Sequence, residues 1–218
     1  GLCMADGLSG LFEHVRRRAA NLRLLRWLHS DRYLLLHAIE ADTVGVLAED
    51  ELRCNCIDDL LLFEQTERWL SRDAFMAEAR RRIDQDGMRL YTAVRDGVLV
   101  HYGWLVPRQQ RSWFPYVSQH YDYPEGSAVL FNAYTHPRAR GTGLHTRSMR
   151  RRIADGAGQA GTRRVYTAIE SHNRASRAVA ARCGFVCVDV LFERIRFGRI
   201  ERGNMPPQTY FSTVETRV

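Results

Sequence analysis

The stretch THPRARGTGLHTRSM, residues 135–149, sets two arginines and two glycines between an apolar run and a segment of helical character. At the start of a helix the first backbone amides have no partner inside the helix, and the dipole is positive there. Gly141 and Gly143 let that backbone approach an anion, while Arg138 and Arg140 add guanidinium donors suited to phosphate. The chemistry these residue types suit is the holding of a phosphate or pyrophosphate. The same string also suits an ordinary tight turn between strand and helix. A second stretch, ESHNRASRAVAARCGF at residues 170–185, sharpens the choice: Asn173 after a strand, Ser176 three residues on, a short Ala-rich helix, then Gly184-Phe185 opening another strand.

Both stretches need elements to position them. Hydrophobic patterning gives a strand over 127–136, a helix over 143–159, a strand over 163–170, a helix over 174–182 and a strand over 185–197. The first three make a βαβ unit, whose strands are parallel neighbours. Upstream, RLYTAVRDGVLVHYGWLV reads as a hairpin turning on Asp96-Gly97, a dipeptide that accepts positive φ. SRDAFMAEARRRIDQDG reads as a helix from an N-cap at Ser71 to a stop at Gly87, and a strand is expected near 32–40. The fold class is therefore mixed α/β: one mixed sheet with a central parallel pair, 127–136 and 163–170, and flanking helices. The organisation expected is an N-terminal arm or helix (1–30), one domain (31–200), and a C-terminal tail (201–218) supplying a last edge strand beyond the break at Pro206-Pro207. Residues 107–126 read as a polar loop carrying aromatics.

The chain has 218 residues, 45% hydrophobic and 26% charged, enough to bury a core without staples. Its five cysteines form no C-x-x-C pair and have no histidine at zinc spacing, which reads as reduced thiols and no metal. Apolar runs such as YLLLHAI are too short to span a bilayer and no signal-peptide pattern opens the chain, so a cytoplasmic location is expected. The formal charge of +7 comes entirely from arginine, with triplets at 16–18, 80–82 and 150–152. Codon usage and solvated helix faces explain the triplets. A basic surface still favours phosphate-bearing partners, such as a nucleotide-like cofactor or an acidic carrier protein. No RNP-like or helix-turn-helix signature supports a nucleic-acid partner.

The pair THPRARGTGL and NRASRAVAARCGF resembles the GNAT superfamily of acyl-coenzyme-A-dependent N-acyltransferases. Thr135-His136-Pro137 stands at the family's V-x-P, Arg140-Gly141-Thr142-Gly143 at its R-G-x-G, Asn173 and Ser176 at its N-x-x-A/S, and Gly184-Phe185 at its G-F. The resemblance covers roughly residues 127–187. It implies a bulged strand that splays from its parallel neighbour, with pantetheine lying in the V against the backbone of Ala133 and Thr135. The amides of Arg140, Gly141, Thr142, Gly143, Leu144 and His145 would then hold the pyrophosphate, with Asn173 and Ser176 beside the pantetheine arm. Acetyl-CoA or another acyl-CoA would be the co-substrate, and a small-molecule amine would attack its thioester with both substrates bound. The resemblance also makes a homodimer an expectation.

The chain departs from the family pattern in three places. Framed on the proline, R-x-x-G-x-G/A becomes Arg140-x-x-Gly143-x-His145; a second frame, Arg138-x-x-Gly141-x-Gly143, fits the letters but misplaces the proline. The family's frequent tyrosine acid is replaced by Ala180, and AVLFNAYTH carries no glutamate base. Glu170 and His172 at one strand end, and His136 at the other, are the catalytic candidates, against the plain reading of solvent-facing strand-end groups. Tyr134 is either a proton donor or a core-lining aromatic. The aromatic loop and the motif's form are similar to members from bacterial polysaccharide pathways, implying an amino sugar, nucleotide-linked or free, as acceptor. Three alternatives stay open: a carrier-protein donor on the same fold, a silent acyl-CoA-binding domain, and a nucleic-acid binder.

Overall fold

The structure is a computed structural model and describes residues 25–45, 51–64 and 72–215. The Ser71 cap, the arginine triplet at 16–18 and most of the expected arm lie outside the described residues. The remaining elements follow the patterning closely where the period is strong. Helix α1 spans Arg72–Asp84, and Gly87 beyond it takes φ +63°. Strands β3 (Arg89–Arg95) and β4 (Val98–Val106) form the hairpin, with Asp96 at φ 51° and Gly97 at φ 72°. Both central residues are left-handed, which gives the turn a twist that matches the strands. Strand β7 (Ser127–Thr135), helix α2 (Leu144–Ala157), strand β8 (Arg164–Glu170), helix α3 (Arg174–Arg182) and strand β9 (Val186–Arg196) complete the expected succession.

All but two strands join one eight-stranded sheet, ordered β10-β9-β1-β8-β7-β4-β3-β2, with β1 at His29–Glu40, β2 at Arg53–Cys54 and β10 at Arg199–Met205. Strand β1 runs antiparallel between β8 and β9, where both faces of Tyr33–Ala38 are covered. A run that is apolar but for His37 suits such a doubly covered position. Periodicity predicts that strand but not its neighbours.

Two expectations shift. The expected edge strand lies ahead of the prolines: β10 pairs with β9 up to Met205, and Pro207 then opens a short helix, α4 (Pro207–Thr213). Proline cannot donate to a ladder, yet its fixed φ suits the first turn of a helix. The polar loop also contains a hairpin of its own, β5 (Arg111–Phe114) with β6 (Gln119–Asp122). Val117 and Tyr123 anchor that hairpin in a cluster with Leu36, Val106 and Tyr166.

Helix α2 covers one face of the sheet, where Met149 and Ile153 meet Leu105, Leu130, Val165 and Phe185. Gly156 permits close approach, because a Cβ there would lie 3.2 Å from a Leu105 methyl. Helix α1 packs Phe75, Met76 and Ala79 against Leu90 and Trp104. Among the described residues no helix is long and apolar enough to cross a membrane.

Candidate active site

The central feature is a split between two parallel strands. Pairing of β7 with β8 runs only from Ser127–Leu130 against Arg164–Thr167. Beyond Leu130, Asn132 takes φ +48° and the register with β4 shifts opposite Gly103, so β7 bulges. A bulge bends its strand and leaves ladder groups free. The strands part toward their carboxyl ends, and the loop that follows β7 sits at the mouth of the gap.

That loop is held open by its own contacts. His136 Nδ1 accepts the Arg138 amide, Pro137–Ala139 make one tight turn, and the Thr142 hydroxyl donates to the Ala139 carbonyl at 2.7 Å. Gly141 and Gly143 both take φ +76°. A Cβ on Gly141 would meet nothing within 4 Å, so dihedral freedom rather than space calls for glycine there. Gly143 occupies the N-cap of α2 without a capping side chain, and the first amide bonded back to it is that of Arg147. The amides of Leu144, His145 and Thr146 are therefore the open donors of a helix start. The Arg140 amide is not among them, since it bonds to the Pro137 carbonyl at 3.3 Å. The Arg147 side chain braces the loop through the Thr142 carbonyl and Glu51.

A cleft of 680 Å³ follows the loop and the gap. Of the expected phosphate and pantetheine contacts, Ala133, Thr135, Arg140, Gly141, Gly143, Leu144, His145, Asn173 and Ser176 line it. Arg138 and Thr142 are not among its lining residues, and the Arg138 amide and the Thr142 hydroxyl bond within the turn. Tyr134 also lines the cleft, stacked on Tyr102 at 5.4 Å.

The second motif is cap chemistry. Asn173 Oδ1 accepts the Ser176 amide at 3.1 Å, closing the start of α3. At the other end Gly184, at φ +92°, donates to the Ala181 carbonyl and Phe185 to that of Ala180, the paired bonds of a left-handed helix stop. Ala180 is fully buried, so the position of the family's tyrosine belongs to the core.

An inner cavity of 320 Å³ continues the cleft between the parted strands, bounded by Asn132, Met149, Arg152, Thr167 and Glu170 and sharing Ala133, His145, Asn173 and Ser176 with the cleft. Glu170 brings His172 with it: His172 Nε2 lies 3.4 Å from the carboxylate and its Nδ1 lies 3.4 Å from the Tyr116 hydroxyl. Burial, followed by the Glu170 charge, pushes the Tyr116 phenol up, so it stays protonated. His136 does not join them. It is buried, its Nε2 meets Glu64 at 3.1 Å, and it lines neither cavity, so its work is to shape the turn.

Arg152 corrects the reading of the 150–152 triplet as a solvated face. Arg150 is exposed, but Arg152 is 1% exposed, under the bulge. Its Nη1 donates to the Trp104 carbonyl and its Nε to that of Ser148, while Nη2 has no partner. The guanidinium lies flat against Gly103, where a Cβ would come within 2.7 Å of its central carbon. Burial pulls its pKa to about 10, which leaves it charged at neutral pH. Beside it, His145 is drawn down to about 4 by burial and by Arg152, and its buried Nε2 is also unpartnered. His101 ties three elements together through Thr135 Oγ1 at 2.9 Å and Ser148 Oγ at 2.6 Å; burial, then Arg152, holds it neutral. Helical spacing could have revealed Arg152, because Leu144, Ser148, Arg152 and Gly156 form one inward stripe, all buried.

A concavity of 1160 Å³ lies beyond the far end of β8, lined by Ser171, Tyr33, Tyr210 and Arg199 and by the pairs Arg196–Asp31 and Arg194–Glu201. It has no open helix start, so it is not the phosphate cradle. It begins one residue past Glu170.

The family model described as the acetyltransferase (GNAT) family matches residues 55–185, more than half of the chain. The chain belongs to that family. Among solved structures it is similar to a GNAT acetyltransferase from Colwellia psychrerythraea (15% identity, 83% of this chain and 61% of that one, TM-score 0.54). It is also similar to a GNAT-family acetyltransferase from Novosphingobium aromaticivorans (16% identity, 75% and 63%, TM-score 0.51). At that identity the likeness is one of fold, and the chain spans somewhat over 60% of each of those structures. No curated protein matches the sequence. The GNAT sheet, with its parted central pair and flanking helices, is the architecture the motifs implied.

Proposed function

We propose that this GNAT chain transfers an acyl group from coenzyme A to an amine of a small molecule. The observation that carries the reading is the gap between β7 and β8, which opens onto the uncapped start of α2. Open amides at a helix start and the flexible Arg140 suit a pyrophosphate. The edge of β7 at Ala133 and Thr135, which β8 leaves unpaired and where the Thr135 carbonyl holds only a long bond from Arg140 Nε, suits the amides of pantetheine, and the inner cavity gives the thioester a place out of bulk water. These residues fit acyl-CoA as substrate.

In this reading both substrates sit together and positioning supplies most of the gain. The amine nitrogen attacks the thioester carbonyl, the carbon–sulfur bond breaks, and the amide forms. Glu170, at the cavity wall, takes the proton from the amine, and His172 and Tyr116 orient it. Tyr134, on the cleft wall, returns a proton to the departing thiolate. The acceptor's body lies in the basin that starts at Ser171, whose tyrosines suit a sugar ring, whose carboxylates Asp31 and Glu201 suit an amino group, and whose Arg199 suits a phosphate, as in a nucleotide-linked amino sugar.

The test is thermal unfolding with acetyl-CoA, CoA and 3′-dephospho-CoA. Ligand at a hundred times its dissociation constant adds about 2.7 kcal/mol, a rise of roughly 5–10 °C for a chain of this size. No rise with any of the three refutes the reading.

A further inference from the structure

Arg152 is a charge that the fold buries and does not neutralise. The carboxylate on its own helix is engaged elsewhere: Asp155 accepts from Tyr91 at 2.7 Å and from Arg151 at 3.1 Å, and Glu170, which also bounds the inner cavity, lies against His172. The groups that favour the charged form of Arg152 are Tyr91 and Cys183, not an acidic side chain. Both of its bonds go to backbone carbonyls, which are neutral. Removing a guanidinium from water costs several kcal/mol unless an opposite charge and a full set of acceptors replace the water. The fold nevertheless makes room for it. Gly103 has no side chain where the guanidinium lies, and Ser148 is kept small and bonded to His101 one turn away. The unsatisfied Nη2 belongs to a residue that bounds the inner cavity, and so does the unsatisfied Nε2 of His145.

An acetyl group would bring neither atom an acceptor. A carboxylate at the far end of a short acyl chain would give Nη2 its missing acceptor and charge, and would give His145 Nε2, in the tautomer that carries its proton there, a first acceptor. We propose that the acyl group this protein accepts carries a terminal carboxylate, as in a malonyl or succinyl thioester, and that Arg152 is the residue that selects it. The proposal rests on the acyl-CoA reading above. The carboxylate takes no part in the bond changes: the amine nitrogen still displaces sulfur at the thioester carbon, and the product is an amide with a free acid at its other end.

The experiment compares affinities of CoA, acetyl-CoA, malonyl-CoA and succinyl-CoA by isothermal calorimetry, on the full chain and on Arg152→Met and Arg152→Lys. The full chain is expected to bind one of the dicarboxylic thioesters about tenfold or more tighter than acetyl-CoA, as a charged hydrogen bond provides. In Arg152→Met that preference vanishes while CoA itself still binds; Arg152→Lys keeps part of it. Equal or tighter binding of acetyl-CoA by the full chain, with CoA also bound, overturns the acyl proposal and leaves the acyl-CoA reading standing. Failure of all four ligands, CoA included, overturns that reading and this proposal with it. The comparison on the unaltered chain decides the matter even where a variant does not fold.

Discussion

Helices α2 and α3 start in equivalent places, each just past the carboxyl end of one of the two parallel strands, and they finish their first turns in opposite ways. At α3 the Asn173 side chain bends back and satisfies the Ser176 amide. At α2 the N-cap is Gly143, left-handed and without a side chain to offer. The same topology thus yields one closed and one open helix start, and only the open one can receive an anion. Against a capping Asn or Asp, a glycine at an N-cap gives up only a few tenths of a kcal/mol of local stability and leaves its amides free. The proposed anion site is accordingly written in what the sequence omits, a capping oxygen, as much as in the arginines it adds.

The contrast can be broken at its open end first. Gly143→Asp would place a carboxylate beside the open amides, where the phosphate is expected, at a left-handed position that disfavours any side chain. Affinity for CoA should fall about 100-fold or more, near 2.7 kcal/mol, as measured by calorimetry. Unchanged affinity would put the pyrophosphate elsewhere.

A pH titration sharpens the contrast, because the first turn of α2 carries a buried histidine and that of α3 carries none. His145 titrates near 4 in the folded chain against 6.5 when unfolded. Between those values the unfolded chain binds the proton and the folded chain does not, so stability is complete above pH 6.5 and declines as pH falls to 4. The loss attributable to His145 is roughly 3 kcal/mol. It is read as the difference in urea stability between pH 7 and pH 4.5, compared with His145→Gln. A variant with the same pH slope as the parent would show the histidine is not the source.

Smaller effects follow. Arg140→Ala should weaken CoA binding by about 1–3 kcal/mol with little change in melting temperature, since its side chain makes one long bond, to the Thr135 carbonyl at 3.3 Å. Asn173→Ala should do the reverse, lowering stability by about 1 kcal/mol and leaving the affinity for 3′,5′-ADP nearly untouched. A large loss of nucleotide affinity in that variant would mean Asn173 is more than a cap.

How much of this was legible beforehand varies with the kind of information required. Strands and helices with a clear period, including 174–182 to the residue, were readable because local burial patterns dictate them. The cradle was readable because positive φ and open amides demand glycine, a local need. The insertion of β1 between β8 and β9 was not, since nothing in YLLLHAI names its neighbours. The β5–β6 hairpin was hidden in a segment with no strong alternation, and its register depends on burying Val117 and Tyr123 under distant strands. Arg152 was missed for a different reason: residue type suggested a solvated side chain, and only the four-residue stripe it shares with Leu144 and Gly156 argued otherwise. Tyr116 was seen as one of several aromatics. Its approach to His172 depends on how the hairpin folds over the end of β8.

The place of β1 also bears on how the molecule is made. Leu34 pairs on one side with Glu170 and on the other with Leu191, both of which are synthesised long after it. During that interval the strand has neither of its partners and must wait as an unpaired, sticky edge. Long-range pairing of this kind slows folding and exposes the nascent chain to aggregation. The Tyr33–Ala38 run, buried throughout in the native sheet, is thus a segment for which a growing chain needs a chaperone's cover.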